Sequence, residues 1–570
     1  MEESVNLSIY WLKKDFRLAD NPALVRALED AKKENSKVAL VFVIENEFLE
    51  APETSAFHVN SVFTALSDLQ NIIKKEYNKE IAIFTGNVID VFEKIHKKTP
   101  FQKLYSHLEI GINWTFERDK NIIDFCRKNN IEWIELLQTG VFRRLKSRDE
   151  RRKLWNKFNY TKALPIPTKE DFEIITLPTN WKCYKEYLKK ELKLENFSFT
   201  LKNENGTKKE IQSVSETAAH QTLEDFLYYR GIAYRGGISS PNTAFTAGSR
   251  FSAHLAWGTL SGRFAYQATQ ERQKELKAEI EALENQLKEG KKILSKKQKE
   301  NIEILIKEKK RWKGSLSSFL SRLHWRDHFI QRLETEPQTE FEAINPAYNA
   351  LKYDDKTEFL EAWKTGCTGY PLVDACMRCL NQTGFINFRM RAMIASFAMH
   401  TLHLSWKTIN APMARLYTDY EAGIHLSQLQ MQAGVVGINT LRVYSPTKQL
   451  IDHDPECDFV KEWIPELQNY TPKEIISHAE NLDETVIEDY PKLIVDWEVE
   501  SKRMKDKYFA IKKLPETKEI SKKVYEKHGS RMGSMTSRAS RKRNKTNSKK
   551  TTANKKRIEK IKNQMLIPYK

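Results

Sequence analysis

Short apolar runs alternate with amphipathic patterns of helical length through the first part of the chain. The patterns at residues 60–74 and 117–128 are helical and lie between the runs. This alternation predicts a doubly wound α/β domain over residues 1–135, with helices on both faces of a parallel sheet. No G-x-G-x-x-G motif follows the first run, so a ligand is expected at the strands' carboxyl ends without the usual dinucleotide loop. The predicted strands are Leu7–Leu12, Val38–Ile44, Ile81–Phe84, Lys103–Tyr105 and Ile131–Leu136.

The pattern changes in the second half of the chain, where residues 223–513 predict an all-helical domain. Its most apolar part is Asn387–Trp406, which we interpret as one helix enclosed by others because it is apolar on every face. Polar side chains in such surroundings need a partner or a ligand. The stretch Gly366–Gln449 is therefore predicted to be a binding site. Its notable polar residues are Arg389, Arg391, Asp419, Glu421, His425 and Arg442.

Two segments depart from these patterns. Residues 136–222 are polar, rich in lysine and punctuated by proline, and predict a connection between the domains. Residues 267–311 predict an antiparallel helical hairpin inserted in the helical domain, because leucine and isoleucine form one apolar seam on either side of Gly290. The hairpin is either a solvated insertion or an arm that docks a partner.

Basic residues are in excess, with a formal net charge of +18 and a pI near 9.3. This excess favours a polyanionic partner, nucleic acid first and an anionic membrane surface second. Part of it lies in a C-terminal tail, residues 514–570, which is too polar to fold alone and is predicted to be mostly disordered. The tail either keeps the protein soluble or clamps a phosphate backbone.

Six cysteines are scattered along the chain, which fits a reducing compartment better than a disulfide framework. Cys376 and Cys379 form a C-x-x-C whose apolar neighbours favour core packing; an iron–sulfur cluster, the alternative, could also recruit Cys367 and Cys457. The chain begins without a secretory signal and contains no apolar run of membrane length. We expect a cytoplasmic monomer that does not act at a membrane.

Two local patterns carry candidate chemistry. In Thr246–Ser252, the hydroxyls of Ser249 and Ser252 can cap a helix start beside the charge of Arg250. Such a helix start either cradles a phosphate or is an ordinary capped helix. Trp325 lies on another helical pattern and is either a core residue or a stacking platform in a basic cleft.

Seven short motifs occur in order along the chain. The first is Trp-Leu-Lys-Lys-Asp-Phe-Arg-Leu-Ala-Asp-Asn-Pro-Ala-Leu at positions 11–24. The others are Thr246–Ser252, Leu323–Arg326, Thr368–Arg378, Arg389–Phe397, Arg442–Gln449 and Trp463–Leu467. In this order they resemble the motifs of the photolyase/cryptochrome family over about residues 5–510, apart from the hairpin. So many ordered motifs make a chance match negligible.

The resemblance implies a Rossmann-like antenna domain joined to an all-helical domain that holds FAD non-covalently. Arg391 and Asp419 match an ion pair against the flavin ring, and His425 falls where the family faces flavin N5. His425 is either a titratable group that controls N5 protonation or a fixed neutral hydrogen-bond partner. Glu421 is placed at the same cofactor site. The phosphate and ribityl contacts match Tyr234, Ser249, Arg250 and Ser252, with Gly248 where a threonine is common.

The resemblance also implies DNA as the partner. Trp325 matches the aromatic residue against which a flipped pyrimidine dimer packs, and Arg322 lies in the same pocket. Arg389, Arg442 and Lys448 match or adjoin positions that face the DNA backbone. The implied activity is light-driven splitting of pyrimidine dimers by electron transfer from reduced FAD. A cryptochrome-like photoreceptor without repair activity is the alternative, and light-independent nucleic-acid binding is a third hypothesis.

Several positions depart from the family pattern. Arg322 replaces a glutamate that hydrogen-bonds the thymines in cyclobutane-dimer photolyases, and Asn387 and Phe388 stand where (6-4) photolyases carry two histidines. In the electron relay, Trp406 matches the middle tryptophan, but leucine and tyrosine occupy the flanking positions. The substrate pocket and the relay are therefore predicted to differ from those of the family. The other departures in the pocket and relay are Phe388, Ala392, Met431, Leu429 and Tyr353.

Two questions stay open from the sequence. Tyr417, Tyr420 or Trp363 can supply another electron route. The antenna chromophore is undetermined from the sequence: Glu109 lies in a strand-end loop, whereas Ile112 replaces a glutamate common in folate-binding relatives. This replacement favours a deazaflavin, a flavin or no antenna over a folate.

Overall fold

The structure is a computed structural model that describes residues 6–145, 147–181, 211–438, 441–480 and 487–528. Residues 529–570, most of the predicted tail, lie outside the described residues, as do residues 182–210 of the predicted connection. Cys183 also falls outside them. No helix in the described ranges is both long and apolar enough to cross a membrane.

A five-stranded parallel sheet forms the N-terminal part, in the order β3-β2-β1-β4-β5. The central strand β1 pairs with β2 and β4, so that Ile9 lies opposite Ala39 on one side and Leu104 on the other. Helices cover both faces, as a doubly wound fold requires, and the prediction of this fold is confirmed. The strands are β1 (Leu7–Leu12), β2 (Lys37–Glu45), β3 (Ala82–Gly86), β4 (Lys103–His107) and β5 (Glu132–Leu136).

Five helices pack on this sheet, and asparagine side chains cap the starts of two of them. The side chain of Asn21 caps the first helix by accepting a hydrogen bond from the Leu24 amide, and Pro22 follows at the first helical position. Asn87 caps the fourth helix in the same way. The helices are α1 (Pro22–Lys33), α2 (Asn46–Glu50), α3 (Ala56–Tyr77), α4 (Val88–Lys98) and α5 (Asn113–Lys128).

The described part of the connection is folded. It contains α6 (Arg148–Tyr160) and α7 (Lys169–Phe172), and Ile175 forms a parallel bridge to Val38 of the sheet. Trp155 of α6 is buried in a cluster of the helical part instead. The connection therefore contacts both parts of the molecule.

Among the described residues from 216 onward, every regular element is a helix or a helical turn. A π-helical turn, Phe226–Arg230, and five 3₁₀ turns join the helices. The first helices are α8 (Glu216–Asp225), α9 (Tyr234–Gly237), α10 (Ala244–Ala247), α11 (Ser252–Trp257), α12 (Gly262–Glu289), α13 (Lys296–Thr335), α14 (Thr357–Thr365) and α15 (Pro371–Thr383). The later helices are α16 (Phe388–His400), α17 (Trp406–Arg415), α18 (Ala422–Ala433), α19 (Pro446–His453), α20 (Asp458–Trp463), α21 (Pro472–His478), α22 (Trp497–Lys513) and α23 (Pro515–His528).

The predicted single helix Asn387–Trp406 is wrong, since two helices, α16 and α17, replace it. The chain turns between them, where His403 has a left-handed φ of 54°. Ser405 then caps α17 by accepting a hydrogen bond from the Thr408 amide. Apolar residues continue through this turn because it is buried, which is why periodicity alone did not show the break.

The predicted hairpin is the outer part of a longer helix pair. Helices α12 and α13 run antiparallel, and Ile280, Ile302 and Ile306 form a buried seam between their outer turns. Helix α13 then continues without a break through Trp325 to its end at Thr335. The outer pair, residues 267–311, is called the arm below.

The segment assigned to the tail begins differently from the prediction, because residues 515–528 form helix α23. Val524 of this helix is buried with Ile344 and Val436, and Ile520, one turn earlier, packs on the same cluster. Two apolar residues four positions apart are enough to dock the helix, although its remaining residues are polar.

Candidate cofactor and substrate cleft

A cleft of about 550 Å³ opens in the helical part between α16, α17 and α18. The predicted cofactor residues that line it are Arg391, Asp419, Glu421 and His425, and the predicted departures that line it are Phe388, Ala392 and Leu429. Part of the predicted cofactor set and part of the predicted substrate and relay set thus meet in one cavity.

Arg391 and Asp419 form a bidentate ion pair in this cleft. The Nη1 and Nη2 groups of Arg391 donate to the two carboxylate oxygens at 2.9 and 3.0 Å, and its Nε donates to the Ile386 carbonyl at 2.9 Å. Burial alone would raise the pKa of Asp419, but Arg391 and a hydrogen bond from Ser252 outweigh burial and lower it. The carboxylate therefore stays ionised and the pair presents a fixed, oriented charge.

Arg250 lies beside this pair and forms no ion pair within the described part of the chain. Its guanidinium stacks on the Phe385 ring at 3.7 Å, and its Nη1 is buried without a hydrogen-bond partner in the described chain. Burial lowers the pKa of Arg250 to about 10, so it remains charged at neutral pH. A buried cation with an unused donor needs an anion, and a phosphate would provide one.

The loop before Arg250 is held by a residue that the sequence analysis missed. Arg230 donates to the carbonyl oxygens of Gly248 and Ser249 and also pairs with Asp225. These bonds fix the chain just before Arg250, whose backbone has a left-handed φ of 62°. No sequence signal marked Arg230, because its partners lie about one helix away in an irregular segment.

Tyr234 belongs to an adjoining aromatic cluster rather than to the cleft wall. Its ring lies against Phe226 and Phe319, and burial raises the pKa of its hydroxyl to about 12. The hydroxyl also interacts with Arg322, which is otherwise exposed. The predicted pocket residue Arg322 and the predicted cofactor residue Tyr234 are therefore in contact.

His425 is a fixed neutral group in this structure. Its Nε2 donates to the Asn410 carbonyl at 3.1 Å, which leaves Nδ1 without a proton. Burial, helped by the nearby charge of Arg391, lowers the pKa of His425 to about 4. Of the two sequence-based alternatives, the neutral hydrogen-bond partner is favoured.

Glu421 ties the cleft to helix α13. Its carboxylate accepts from Arg326 at 3.1 Å, while burial raises its pKa. Gly423 on the next turn packs directly on α13, since a Cβ at Gly423 would lie 2.6 Å from the Ile330 Cα. Helix α13 thus lies against the cleft wall, and Trp325 precedes Arg326 on it.

Trp325 is 44% exposed and its ring stacks on Phe329 at 5.8 Å. Phe388, at the cleft mouth, is 54% exposed. Of the two alternatives for Trp325, the exposed platform fits better than a core position. Met431 behaves differently, because it packs beside Ile344 and Val524 and does not line the cleft.

The predicted backbone-facing residues lie away from the cleft lining. Arg442 and Lys448 are exposed, and Arg389 is half-buried near His453, with an Nε that has no hydrogen-bond partner among the described residues. Arg389 neighbours Phe388 at the start of α16, so it adjoins the mouth without lining it.

Of the aromatic residues proposed for electron transfer, Tyr417 and Tyr420 line the cleft. Arg391 lies 4.1 Å over the Tyr417 ring. Trp406, Trp363 and Tyr353 pack in or on the main helical core and are not among the described lining residues.

Tyr420 also lines a second cavity, of about 870 Å³, beneath the ends of the strands. His58 of α3, another residue missed by the sequence analysis, stacks on Tyr420 at 5.5 Å and donates to the Tyr417 carbonyl at 2.9 Å. The two cavities are therefore separated by the tyrosine and its contacts, at the boundary between the α/β and helical parts. We call the second one the strand-end cavity.

A buried ion-pair network forms one wall of the strand-end cavity. Arg118 donates to Glu45 at 2.9 Å, to Glu109 at 2.8 Å and to Asp119 at 2.8 Å. Burial raises the pKa of Glu45 to about 7. Burial also acts to raise the pKa of Glu109, but the charges of Arg118 and two lysines outweigh burial and lower this pKa to about 2. Ile112 lines the same cavity.

The cysteines of the C-x-x-C, Cys376 and Cys379, are fully buried in the main helical core. In the described ranges, no group of three or more His, Cys, Asp or Glu side chains could hold a metal ion.

Two family models match the chain: "DNA photolyase" over residues 8–151 and "FAD binding domain of DNA photolyase" over residues 319–510. The chain belongs to the photolyase/cryptochrome family. The second match contains the cleft residues from Phe388 to Leu429, and the cofactor of this photolyase/cryptochrome chain is FAD. The residues fit it, since the unused Nη1 of Arg250 can meet a phosphate.

Curated relatives are distant. The deoxyribodipyrimidine photo-lyase of Alkalihalophilus pseudofirmus is 24% identical over 88% of this chain and 98% of its own length. That of Thermus thermophilus is 34% identical, but the match covers 28% of this chain and 39% of the relative.

Solved structures of the photolyase/cryptochrome family share the fold. The cryptochrome of Synechocystis superposes with a TM-score of 0.72 at 21% identity, covering 89% of this chain and all of that one. An archaeal photolyase from Sulfolobus tokodaii, solved with two FAD molecules, superposes with a TM-score of 0.68 at 22% identity, covering 88% of this chain and all of that one.

Proposed function

We propose that this protein is a blue-light-driven, FAD-dependent DNA photolyase that splits pyrimidine dimers. The observation that carries the proposal is the open cleft, whose mouth bears the exposed Phe388 while the exposed Trp325 lies on the adjoining helix. Exposed aromatic rings beside a charged cavity suit a base that has left the duplex, because every base has a face that can stack. We expect it to act on DNA as a cytoplasmic monomer.

The residues of the chain divide the work between two sides of the cleft. Arg391 and Asp419 hold and orient the flavin ring, and Arg250 and Ser252 hold its phosphates and ribityl chain. Reduced FAD, when bound, supplies the electron that light transfers to the lesion. His425 stays neutral and accepts a hydrogen bond through Nδ1, since its Nε2 is already used.

The substrate side positions the lesion. Trp325 and Phe388 provide apolar faces for the two bases, and Arg322 supplies a positive charge near them. Three basic residues outside the cavity are placed to contact the negatively charged phosphate backbone. They are Arg389, Arg442 and Lys448. Extrusion of the lesion is needed since electron transfer requires near contact.

The strand-end cavity is proposed to hold a light-harvesting chromophore with an uncharged ring. Lys13 Nζ, Glu45 Oε2 and Glu53 Oε2 are buried there without hydrogen-bond partners in the described chain. A ring edge with both donors and acceptors would satisfy them, whereas a phosphate would face carboxylates. The Sulfolobus tokodaii photolyase, whose structure contains a second FAD, is a precedent for such a ligand.

A repair assay tests the proposed activity. Purified protein is loaded with FAD, photoreduced, and mixed with oligonucleotides that carry either a cyclobutane dimer or a (6-4) photoproduct. We expect blue light, but not darkness, to restore one of the two lesions. Failure to restore either lesion with the reduced cofactor bound would contradict the proposal.

The second candidate is a photoreceptor that signals without repair. It is favoured by Leu429, which stands in the cleft wall where the family carries a readily oxidised tryptophan, and by the altered substrate side. This candidate predicts that light changes the protease sensitivity of the C-terminal tail. Repair together with an unchanged cleavage pattern would exclude it.

A further inference from the structure

The tip of the arm carries a concentrated positive charge. Residues 288–299, which we call the tip, contain six lysines and a single acidic residue, Glu289. Ile293 at its apex is 86% exposed. The exposed lysines on the turn and at the start of α13 are Lys291, Lys292, Lys296 and Lys297, called the tip lysines below.

The shaft of the arm, in contrast, is internally neutralised. Lys309 pairs with Glu279 and Lys310 pairs with Glu284, both across the helix pair. Further pairs within α12 are Lys274 with Glu271 and Lys277 with Glu281.

The tip lysines form no ion pair with any described residue. The Lys291 carbonyl accepts a hydrogen bond from Lys299, which draws a fifth lysine toward the same turn. Repulsion between clustered like charges opposes this arrangement, and a bound polyanion would relieve it. Four lysines of the shaft are paired with glutamates, whereas none of the four tip lysines is paired with a described residue, so unpaired positive charge is concentrated at the tip.

One continuous helix joins the tip to the substrate side. Lys296 starts α13 and Trp325 lies 29 positions later on it, with regular helix between them. At 1.5 Å per residue, the two Cα atoms are about 44 Å apart. This length equals about 13 base pairs of B-DNA at 3.4 Å each. A duplex whose lesion meets Trp325 and that follows α13 therefore reaches the tip.

We propose that the tip is a second DNA contact, which binds phosphates of the duplex about 13 base pairs from the lesion. The inference rests on the proposed function, because DNA is favoured over other polyanions by the rigid connection to Trp325. An anionic membrane would also meet a basic surface with an exposed isoleucine, and the experiment separates the two.

The tip variant replaces all four tip lysines with glutamine, which removes charge but keeps a residue that favours helix. The matched control replaces Lys74, Lys75, Lys97 and Lys98, four exposed lysines of α3 and α4 in the α/β domain. Full-length proteins are titrated with short (about 12 base pairs) and long (about 40 base pairs) duplexes, each with and without a central lesion. The titrations are repeated over a range of salt concentrations.

On the long duplex, we expect the tip variant to bind more weakly than the wild type. The slope of log K against log salt should fall by about 3.6 if each lysine contacts one phosphate, because each contact contributes about 0.9. On the short duplex, the tip variant should match the wild type. The control should match the wild type on both.

Unchanged affinity and slope of the tip variant on the long duplex would overturn the proposal. So would a loss of binding to phosphatidylserine vesicles without a loss on the long duplex, since that result assigns the tip to a membrane. If the wild type does not prefer the damaged short duplex, the lesion site fails as proposed. The tip is then still judged on the long undamaged duplex, so the two failures are distinguishable.

Discussion

The strand-end cavity and the helical-domain cleft differ in how their buried charges are compensated. In the strand-end cavity, Arg118 binds three carboxylates, and Lys13 and Lys14 lie within 4.0 Å of two of them. In the cleft, Arg391 and Asp419 compensate each other, and Arg250, which lies beside this pair but does not line the cleft, keeps a buried Nη1 without a hydrogen-bond partner among the described residues. The two cavities therefore differ in how their buried charges are paired.

This difference indicates what each cavity can accept. A cleft with an excess cation selects an anionic ligand and discriminates against the same ring without phosphates. A cavity with donors and acceptors of both signs and an internally paired wall selects by hydrogen bonding and shape. Variants of the two networks can therefore test each cavity separately.

The largest effect is expected for Arg118→Gln. This change leaves Glu45, Glu109 and Asp119 together in a buried site without their shared cation, and should cost about 5 kcal/mol of unfolding free energy. The folded fraction should keep its FAD, because the cleft is unchanged. Urea unfolding followed by circular dichroism measures the unfolding free energy, and flavin absorbance measures the bound FAD. The control is Arg127→Gln, which breaks an exposed ion pair with Asp124 on the same helix. It should cost less than about 0.5 kcal/mol of unfolding free energy.

Asp419→Asn should lose less stability than Arg118→Gln, but it should also lose the cofactor. Arg391 would remain buried without its counter-ion, at a cost of about 3 kcal/mol. Flavin content after purification and urea unfolding check the two parts. Glu361→Gln, which removes a surface pair with Lys364, should change neither. Full retention of FAD by Asp419→Asn would show that the pair does not hold the ring.

The pH dependence of stability sharpens the contrast further. Since the folded-state pKa of His425 is about 4, the unfolded chain binds more protons between that pH and about 6.5. Stability from this group is therefore present above pH 6.5 and lost as pH falls toward 4. Between pH 7 and pH 5, the wild type should lose about 2 kcal/mol of unfolding free energy through this group. His425→Asn should not show this loss. If the unfolding free energies of the two proteins change with pH in parallel across this range, the buried neutral histidine is contradicted. The control is His220→Asn, a change at a half-exposed position, and its stability should follow that of the wild type.

The smallest effect is expected at the cleft mouth. Phe388→Asn removes one stacking face and should raise the KM for the damaged oligonucleotide about fivefold, equivalent to about 1 kcal/mol. FAD content should not change. Phe341→Asn, another exposed aromatic residue but outside the cleft lining, provides the comparison. Equal KM values for the two variants would remove Phe388 from the substrate side.

Much of the fold could be predicted because local pattern determines it. The first strand, Leu7–Leu12, has the bounds that its apolar run predicts, since a central parallel strand is buried on both faces. The break between α16 and α17 and the docking of α23 could not be predicted, because both depend on tertiary packing that periodicity does not encode.

The site shows the same division. Motif positions brought Arg391, Asp419 and His425 to one cleft, but the residues that support them were missed. Arg230 and His58 act through backbone carbonyls of distant loops, and such partners leave no pattern in the sequence. Whether His425 is neutral likewise depended on burial and on the Asn410 carbonyl.

The claim that the helical-domain cleft holds FAD through the charge left on Arg250 is tested most directly by ligand affinities. FAD and riboflavin, which lacks phosphates, are titrated into the flavin-free wild type and into Arg250→Gln. We predict that the variant loses about 10- to 100-fold in FAD affinity, as expected for a charge-assisted hydrogen bond, while its riboflavin affinity stays unchanged. An unchanged FAD affinity, or an equal loss for both ligands, would contradict it.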